Sequence, residues 1–149
     1  MIGGGNDNTY RNNIFIDCPL AFHIDNRLQN WAAGFIQKDG LFQKRLDAVN
    51  YLELPYANAY PHLKDYFQDN VGLPKRNFIE NNVFVNVKQL QNGKKEWGCI
   101  GKNYVTCDES IFVNYKEMNF LLKTDAEVFN ILKTFTQIPF REIGPQKKR

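Results

Sequence analysis

The chain has 149 residues, a formal net charge of +3, 43% hydrophobic residues and 14% aromatic residues. That length fits one domain, 1–149, with material for a core. It excludes a membrane-spanning helix, because no apolar run is long enough. The weak positive balance excludes a strongly basic nucleic-acid binder, which needs a basic stripe with interleaved aromatics; Lys147-Lys148-Arg149 reads as a solvated tail.

Residues 1–11 are rich in Gly and Asn, and Met1-Ile2-Gly3-Gly4-Gly5 has no signal-peptide architecture. The chain then enters Asn12-Asn13-Ile14-Phe15-Ile16-Asp17. This stretch returns as Asn81-Asn82-Val83-Phe84-Val85-Asn86, and again as Ser110-Ile111-Phe112-Val113-Asn114 without the leading pair. Ile, Val and Phe in short runs form strands. Asn-Asn is a turn signal, since Asn tolerates left-handed backbone angles. Each copy therefore reads as a tight turn and a short strand. Parallel stacking of the copies would set asparagine over asparagine in an amide ladder, and Phe15, Phe84 and Phe112 in a column. Both faces of each strand are apolar, and either set fills the interior. Asparagine is abundant at 18 residues, clustered at the turns.

After Pro19 comes a second apolar stretch, Leu20-Ala21-Phe22-His23-Ile24. Leu28, Trp31, Ala32, Phe35 and Ile36 then fall at helical spacing, with Asp25 or Asn26 as N-cap and Gly40 as the stop. Leu41, Phe42, Leu46 and Val49 predict a second short helix, and Pro55 a break. Pro61 predicts the start of a third helix carrying Leu63, Tyr66 and Phe67 and ending near Gly72. The first two copies are 69 residues apart and Phe84 lies 28 before Phe112. A stacked coil takes roughly 20–30 residues, so the first gap holds one coil plus a helical insertion at about 26–74. Its apolar stripes are expected to cover the coils.

A second coil is expected from Lys75 to about Leu90, followed by a turn at Gln91-Asn92-Gly93-Lys94-Lys95. One or two strands are expected between Trp97 and Cys107, and another at Asn119-Phe120-Leu121-Leu122. Thr124-Asp125 predicts a cap for a helix bearing Val128, Phe129, Leu132 and Phe135. Pro139-Phe140 opens an extended tail. The three cysteines have no metal-ligand spacing; Cys18 reads as a small buried hydrophobe, and no motif supports a Cys99–Cys107 bridge. Together these readings predict an all-β solenoid, a short right-handed parallel β-helix of about three coils with the helical insertion and a C-terminal helix. A compact α+β domain with antiparallel strands is the competing fold.

Four stretches carry a family resemblance. They are Gly3-Gly4-Gly5-Asn6-Asp7-Asn8 leading into Asn12–Cys18; His23-Ile24-Asp25 with Arg27; Leu73-Pro74-Lys75 leading into Asn81–Asn86; and Asn119–Lys123 through Ile138–Gly144. With them the chain resembles the C-terminal part of secreted bacterial right-handed parallel β-helix proteins of the pectate-lyase-like superfamily, many of them carbohydrate-active. The resemblance implies a polysaccharide or oligosaccharide partner and an extracellular or periplasmic location. No nucleic acid, membrane or cofactor is expected as a partner, and the residues name no metal ligands. Residues 1–11 lead into the first repeat strand with no amphipathic helix to cap it, so the chain is expected to be the C-terminal piece of a longer solenoid, or one that covers an open coil end by self-association into a homo-oligomer.

Candidate catalytic residues are His23, Asp25 and Arg27, spaced so that an extended strand puts base, carboxylate and cation on one face. Asp17 is a candidate second carboxylate. Glycoside hydrolysis needs two carboxylates; a lyase needs a base and a cation beside a uronate. The same trio also serves a helix cap and its charge pairing. Trp31, Tyr56 and Tyr60 are candidate sugar-stacking residues, though aromatics on helical stripes also build cores; His62 reads as exposed and idle. The function expected is action on or binding of polysaccharide, as glycoside hydrolase or polysaccharide lyase. The alternative is a non-catalytic glycan-binding or capping module. No phosphate-binding loop, zinc cluster, nucleophile elbow or dinucleotide fingerprint is present.

Overall fold

A computed structural model of the chain describes residues 2–3 and 5–144. The tail Lys147-Lys148-Arg149 lies outside the described residues, as do Met1 and Gly4. The chain forms two compact units. Unit 1 comprises Met1–Asn8, Phe22–Asn77 and Gly93–Gly98; unit 2 comprises Thr9–Ala21, Phe78–Asn92 and Cys99–Arg149.

The strands are β1 (Ile2–Gly3), β2 (Thr9–Tyr10), β3 (Ile14–Ile16), β4 (Leu20–Asp25), β5 (Phe78–Ile79), β6 (Val83–Val85), β7 (Gln89–Asn92), β8 (Cys99–Ile100), β9 (Tyr104–Thr106), β10 (Phe112–Asn114) and β11 (Asn119–Leu122). Among the described residues the α-helices are α1 (Leu41–Ala48), α2 (Tyr56–Ala59) and α3 (Val128–Ile131), all short. Single turns of 3-10 helix fill several of the links.

Unit 2 is built on two three-stranded parallel sheets, β2–β5–β8 and β3–β6–β9. In the second, Ile14, Phe15 and Ile16 pair in register with Val83, Phe84 and Val85, and these with Tyr104, Val105 and Thr106. The Phe15 and Phe84 rings stack at 5.0 Å, tilted by 16°. All three residues of β6 are fully buried, so neither face of this central strand meets solvent. Each such side chain contributes roughly 1.5–3 kcal/mol by leaving water. Val83, Val85 and Tyr104 join Ile111, Phe112, Leu122, Val128, Leu132 and Phe135 in one core cluster, with Ile14 and Ile16 packed at its edge. The C-terminal segment thus supplies the cover for this face.

The register is set by buried amides. Asn82 is fully buried. Its Oδ1 accepts from the Asn13 backbone N–H at 3.1 Å and from Asn13 Nδ2 at 2.9 Å. Its Nδ2 donates to the carbonyls of Tyr10 at 2.9 Å and Glu80 at 2.8 Å. Asn103 Oδ1 receives both the Asn82 backbone N–H, at 2.9 Å, and the Asn82 side chain, at 3.1 Å. A one-residue slip would leave these groups unpaired in the interior. The residues just before Asn13 and Asn82, namely Asn12 and Asn81, hold φ of 58° and 55°, the left-handed region that Asn tolerates. Asp17 and Asn86 close the same strands at 53° and 56°.

The expected all-β right-handed parallel β-helix of about three coils is corrected here. The short strands lie in separate sheets with helical segments between them, and the described residues do not make the predicted solenoid. The third copy of the repeat does not join the Phe column. Asp108 accepts the Ser110 N–H and caps a 3-10 turn at Glu109–Ile111, which redirects the chain into β10. Strand β10 pairs antiparallel with β11, Phe112 opposite Leu122. The physical reason is the missing asparagine pair: Asp108-Glu109 cannot offer a buried amide, whereas Asn103 can, and it leads β9 into the third place.

The helix expected from Leu28 to Ile36 is two 3-10 turns, Arg27–Gln29 and Ala33–Ile36. Asn30 has φ −124° and ψ −122°, which breaks the helical path. Leu28 and Ala32 are buried, while Trp31 and Phe35 are exposed. The second helix is present as α1, preceded by Gly40. The third is a single 3-10 turn at Pro61–Leu63 followed by turns. The C-terminal helix is shortened to α3, with Glu127 rather than Thr124-Asp125 before it. Gly93 takes φ 90°, and a Cβ there would meet the Ile24 carbonyl oxygen at 2.8 Å, so the Asn-Gly turn requires glycine. The three cysteines are free thiols.

Asn82→Ala should cost about 3–5 kcal/mol, because it strands several buried donors and acceptors at once. Asn103→Ala, at the partly exposed end of the row, should cost about 1–2 kcal/mol. Urea unfolding of the two variants measures both. A loss below about 1 kcal/mol for Asn82→Ala would show that the amide row does not hold the strands.

Candidate functional site

Strand β4 carries His23 and Asp25, and Arg27 follows in the next 3-10 turn. Unit 1 brings the three together. Asp25 Oδ1 accepts from Arg27 Nε at 2.9 Å, and Oδ2 from Arg27 Nη2 at 2.7 Å. The Arg27 backbone N–H adds a bond to Asp25 Oδ1 at 3.1 Å. His23 Nε2 lies 3.4 Å from Asp25 Oδ2. The contact with Arg27 comes from the chain turning after Asp25, not from one strand face as expected. The two-pronged guanidinium holds the Asp25 carboxyl down at about 2, with partial burial opposing. Arg27 also lies 5.5 Å from the Trp31 ring centre, on its face.

Asp17 belongs to unit 2, where it accepts hydrogen bonds from the Tyr115 hydroxyl and from Asn86 Nδ2, the latter at 3.1 Å. Asn86 Nδ2 also donates to Glu109 at 2.9 Å. The Tyr115 hydroxyl is pushed up by its bond to the Asp17 carboxylate. The expected partner carboxylates, Asp17 and Asp25, are therefore each engaged inside a different unit.

Unit 1 holds a cleft of about 760 Å³. Phe42 from α1 and Tyr60, Tyr66 and Leu28 supply rings and apolar surface; Asn6, Asp7, Asn8, Arg45 and His62 supply polar groups. Tyr60 is 57% exposed, and its ring stacks on Tyr56 at 6.3 Å. Trp31 and Tyr56 are not among the residues lining the cleft. Burial raises the Tyr66 hydroxyl, partly offset by its bond to the Gly72 backbone.

One wall of the cleft is braced by charge. Arg76 Nη2 donates to Asp7 Oδ2 and its Nη1 to Asp69 Oδ2, both at 3.0 Å. Lys75 Nζ sits 3.0 Å from the same Asp69 oxygen. The Arg76 hydrogen bond, with help from nearby His62 and Lys75, holds the Asp7 carboxyl below its usual range. Asp7 is 69 residues before Arg76, the offset that separates the two Asn-Asn copies. Extending that register backwards from Asn12 would have found the pair; the sequence reading missed it, along with Phe42, Arg45 and Tyr66. Asn8 Nδ2 donates to Asn77 Oδ1 at 2.8 Å on the same offset. His62, read as idle, lines the cleft.

Among the described residues, no cluster of His, Cys, Asp and Glu has a metal-holding arrangement, and no helix is long and apolar enough to cross a membrane. In comparisons with known proteins, no protein family, curated protein or solved structure matches the chain.

The Asp25–Arg27 pair makes a pH prediction with a definite sign. Asp25 titrates near 3.8 when unfolded and about 2 when folded, so folding favours its ionised form. Its stabilisation is complete above about pH 4 and is lost as pH falls towards 2. With solvent screening, Asp25→Asn should lower stability by about 1 kcal/mol at about pH 7 and by almost nothing near pH 2. Denaturation of both proteins at the two pH values measures this; an equal gap at both would show that the ion pair is not its source.

Proposed function

We propose that this chain is a polysaccharide-binding module of a carbohydrate-active protein, and that it holds a stretch of glycan in the unit 1 cleft. The carrying observation is the composition of that cleft. A pyranose ring presents an apolar C–H face and a rim of hydroxyls. It is held by a flat aromatic surface bordered by hydrogen-bonding groups. Tyr60, Tyr66 and Phe42 supply the first; Asn6, Asp7, Arg45 and His62 supply the second. The volume of about 760 Å³ suits an oligosaccharide segment. An extracellular or periplasmic glycan, as the resemblance implies, is the natural ligand class.

Binding is favoured over catalysis by the state of the carboxylates. A general acid must be protonated near neutral pH, and an effective general base needs an affinity for protons near the working pH. Asp25, held at about 2, has neither property. Its Oδ1 and Oδ2 are already occupied by Arg27. Inversion or retention at a glycosidic bond also needs two carboxyls facing one bond, about 5–9.5 Å apart. Asp17 is likewise engaged, by the Tyr115 hydroxyl and Asn86 Nδ2.

Calorimetric titration of the purified chain with a panel of plant and host oligosaccharides should find a ligand. Tyr60→Ala should weaken that ligand about tenfold or more, since a lost stacking platform costs about 1–2 kcal/mol. Trp31→Ala should leave affinity unchanged, because Trp31 lies beneath Arg27 and outside the cleft. Undiminished binding by Tyr60→Ala would place the glycan elsewhere. Release of new reducing ends by the chain alone would overturn the binding-only reading.

A further inference from the structure

Unit 2 contains a second, smaller cavity of about 290 Å³. Arg11, Lys102 and Lys133 stand around it with a single carboxylate, Glu80. Among the described residues none of these three cations forms an ion pair. Asn81 also lines it, 8% exposed, with a buried side-chain Nδ2 that meets no acceptor. A buried donor left without a protein partner costs about 1–3 kcal/mol.

Asn81 is held from its other atoms. Its backbone N–H donates to the Lys102 carbonyl at 2.7 Å, its carbonyl accepts from the Asn12 N–H at 2.8 Å, and its Oδ1 accepts from the Thr134 hydroxyl at 3.1 Å. The neighbouring Asn12 shows what completion looks like. There Oδ1 accepts the Thr136 N–H at 2.7 Å and Nδ2 donates to the Thr136 carbonyl at 3.1 Å. The C-terminal segment therefore satisfies both atoms of Asn12 but only the oxygen of Asn81. Asn81 lines a cavity that has three cations against one anion.

We infer that this cavity is an oxyanion site, taking a sulfate, phosphate or carboxylate group. One ligand oxygen accepts from Asn81 Nδ2, and Lys102, Lys133 and Arg11 balance the charge. The site is separate from the glycan cleft and does not depend on that reading. The ligand group is either a free inorganic anion or a substituent on a larger molecule; both present the same oxygens.

Two-dimensional amide NMR reads the site directly through the Asn81 side-chain NH₂ signals. Sodium sulfate, sodium phosphate and a sulfated disaccharide are titrated separately against sodium chloride at matched ionic strength. A saturable shift of the Asn81 pair is expected, weakened about tenfold or more in a Lys102→Gln/Lys133→Gln double variant. Both lysines are exposed, so the variant should fold; its backbone spectrum checks this. Saturation by the inorganic salts assigns a free ion, and saturation by the sulfated sugar alone assigns a glycan-borne group. Tyr60→Ala should not change the response. No saturable shift with any probe, or the same affinity in the double variant, would overturn the assignment.

Discussion

The buried amide of Asn82 is the constraint on which unit 2 depends. It accepts from one neighbouring segment and donates to others, so it works as a clamp rather than a single bond. Short parallel strands of three residues have little hydrogen bonding of their own to fix their pairing. Side-chain amides in line with the backbone ladder add that fixity in the interior, where a mismatch is most costly. Once Asn13, Asn82 and Asn103 are aligned, the apolar residues after them must stack: Phe15 on Phe84, Ile14 beside Val83, and Val83 beside Tyr104.

Unit 1 uses the same offset of 69 residues with different chemistry. Asn8 meets Asn77, and Asp7 meets Arg76. Arg76 holds φ of 52°, an uncommon angle for a long side chain, and its two carboxylate partners account for the tolerance. Its helical segments are short and bury few side chains, with Leu28, Ala32 and Trp97 the main ones. A loosely filled segment with exposed rings leaves open an aromatic, polar-rimmed cleft.

Legibility in the sequence followed the range of the interaction. The β3 and β6 strands, the turn at Gly93 and the α1 helix were readable because they rest on local propensity and patterning. The Leu28–Ile36 stripe misled, since periodic apolar residues do not reveal that Asn30 leaves the helical path. The third repeat misled for a different reason. Ser110–Asn114 matches the apolar half of the pattern, but Asn103 carries the half that pairs in the interior. At the candidate site, proximity in sequence correctly brought His23, Asp25 and Arg27 together. It could not show that Arg27 would occupy both Asp25 oxygens and hold the acid ionised.

By itself the sequence determined where the chain turns and where it runs extended, because asparagine, glycine and β-branched residues constrain their own backbone angles. It also determined the recurrence that makes two distant segments interchangeable partners. Only the tertiary structure decided which segment completes each row, and which aromatic rings stay exposed around a cleft. It also decided which buried amide, that of Asn81, is left without an acceptor. Those outcomes depend on how separated stretches of chain close on one another, and a donor or a ring has no assigned partner until that closure is made.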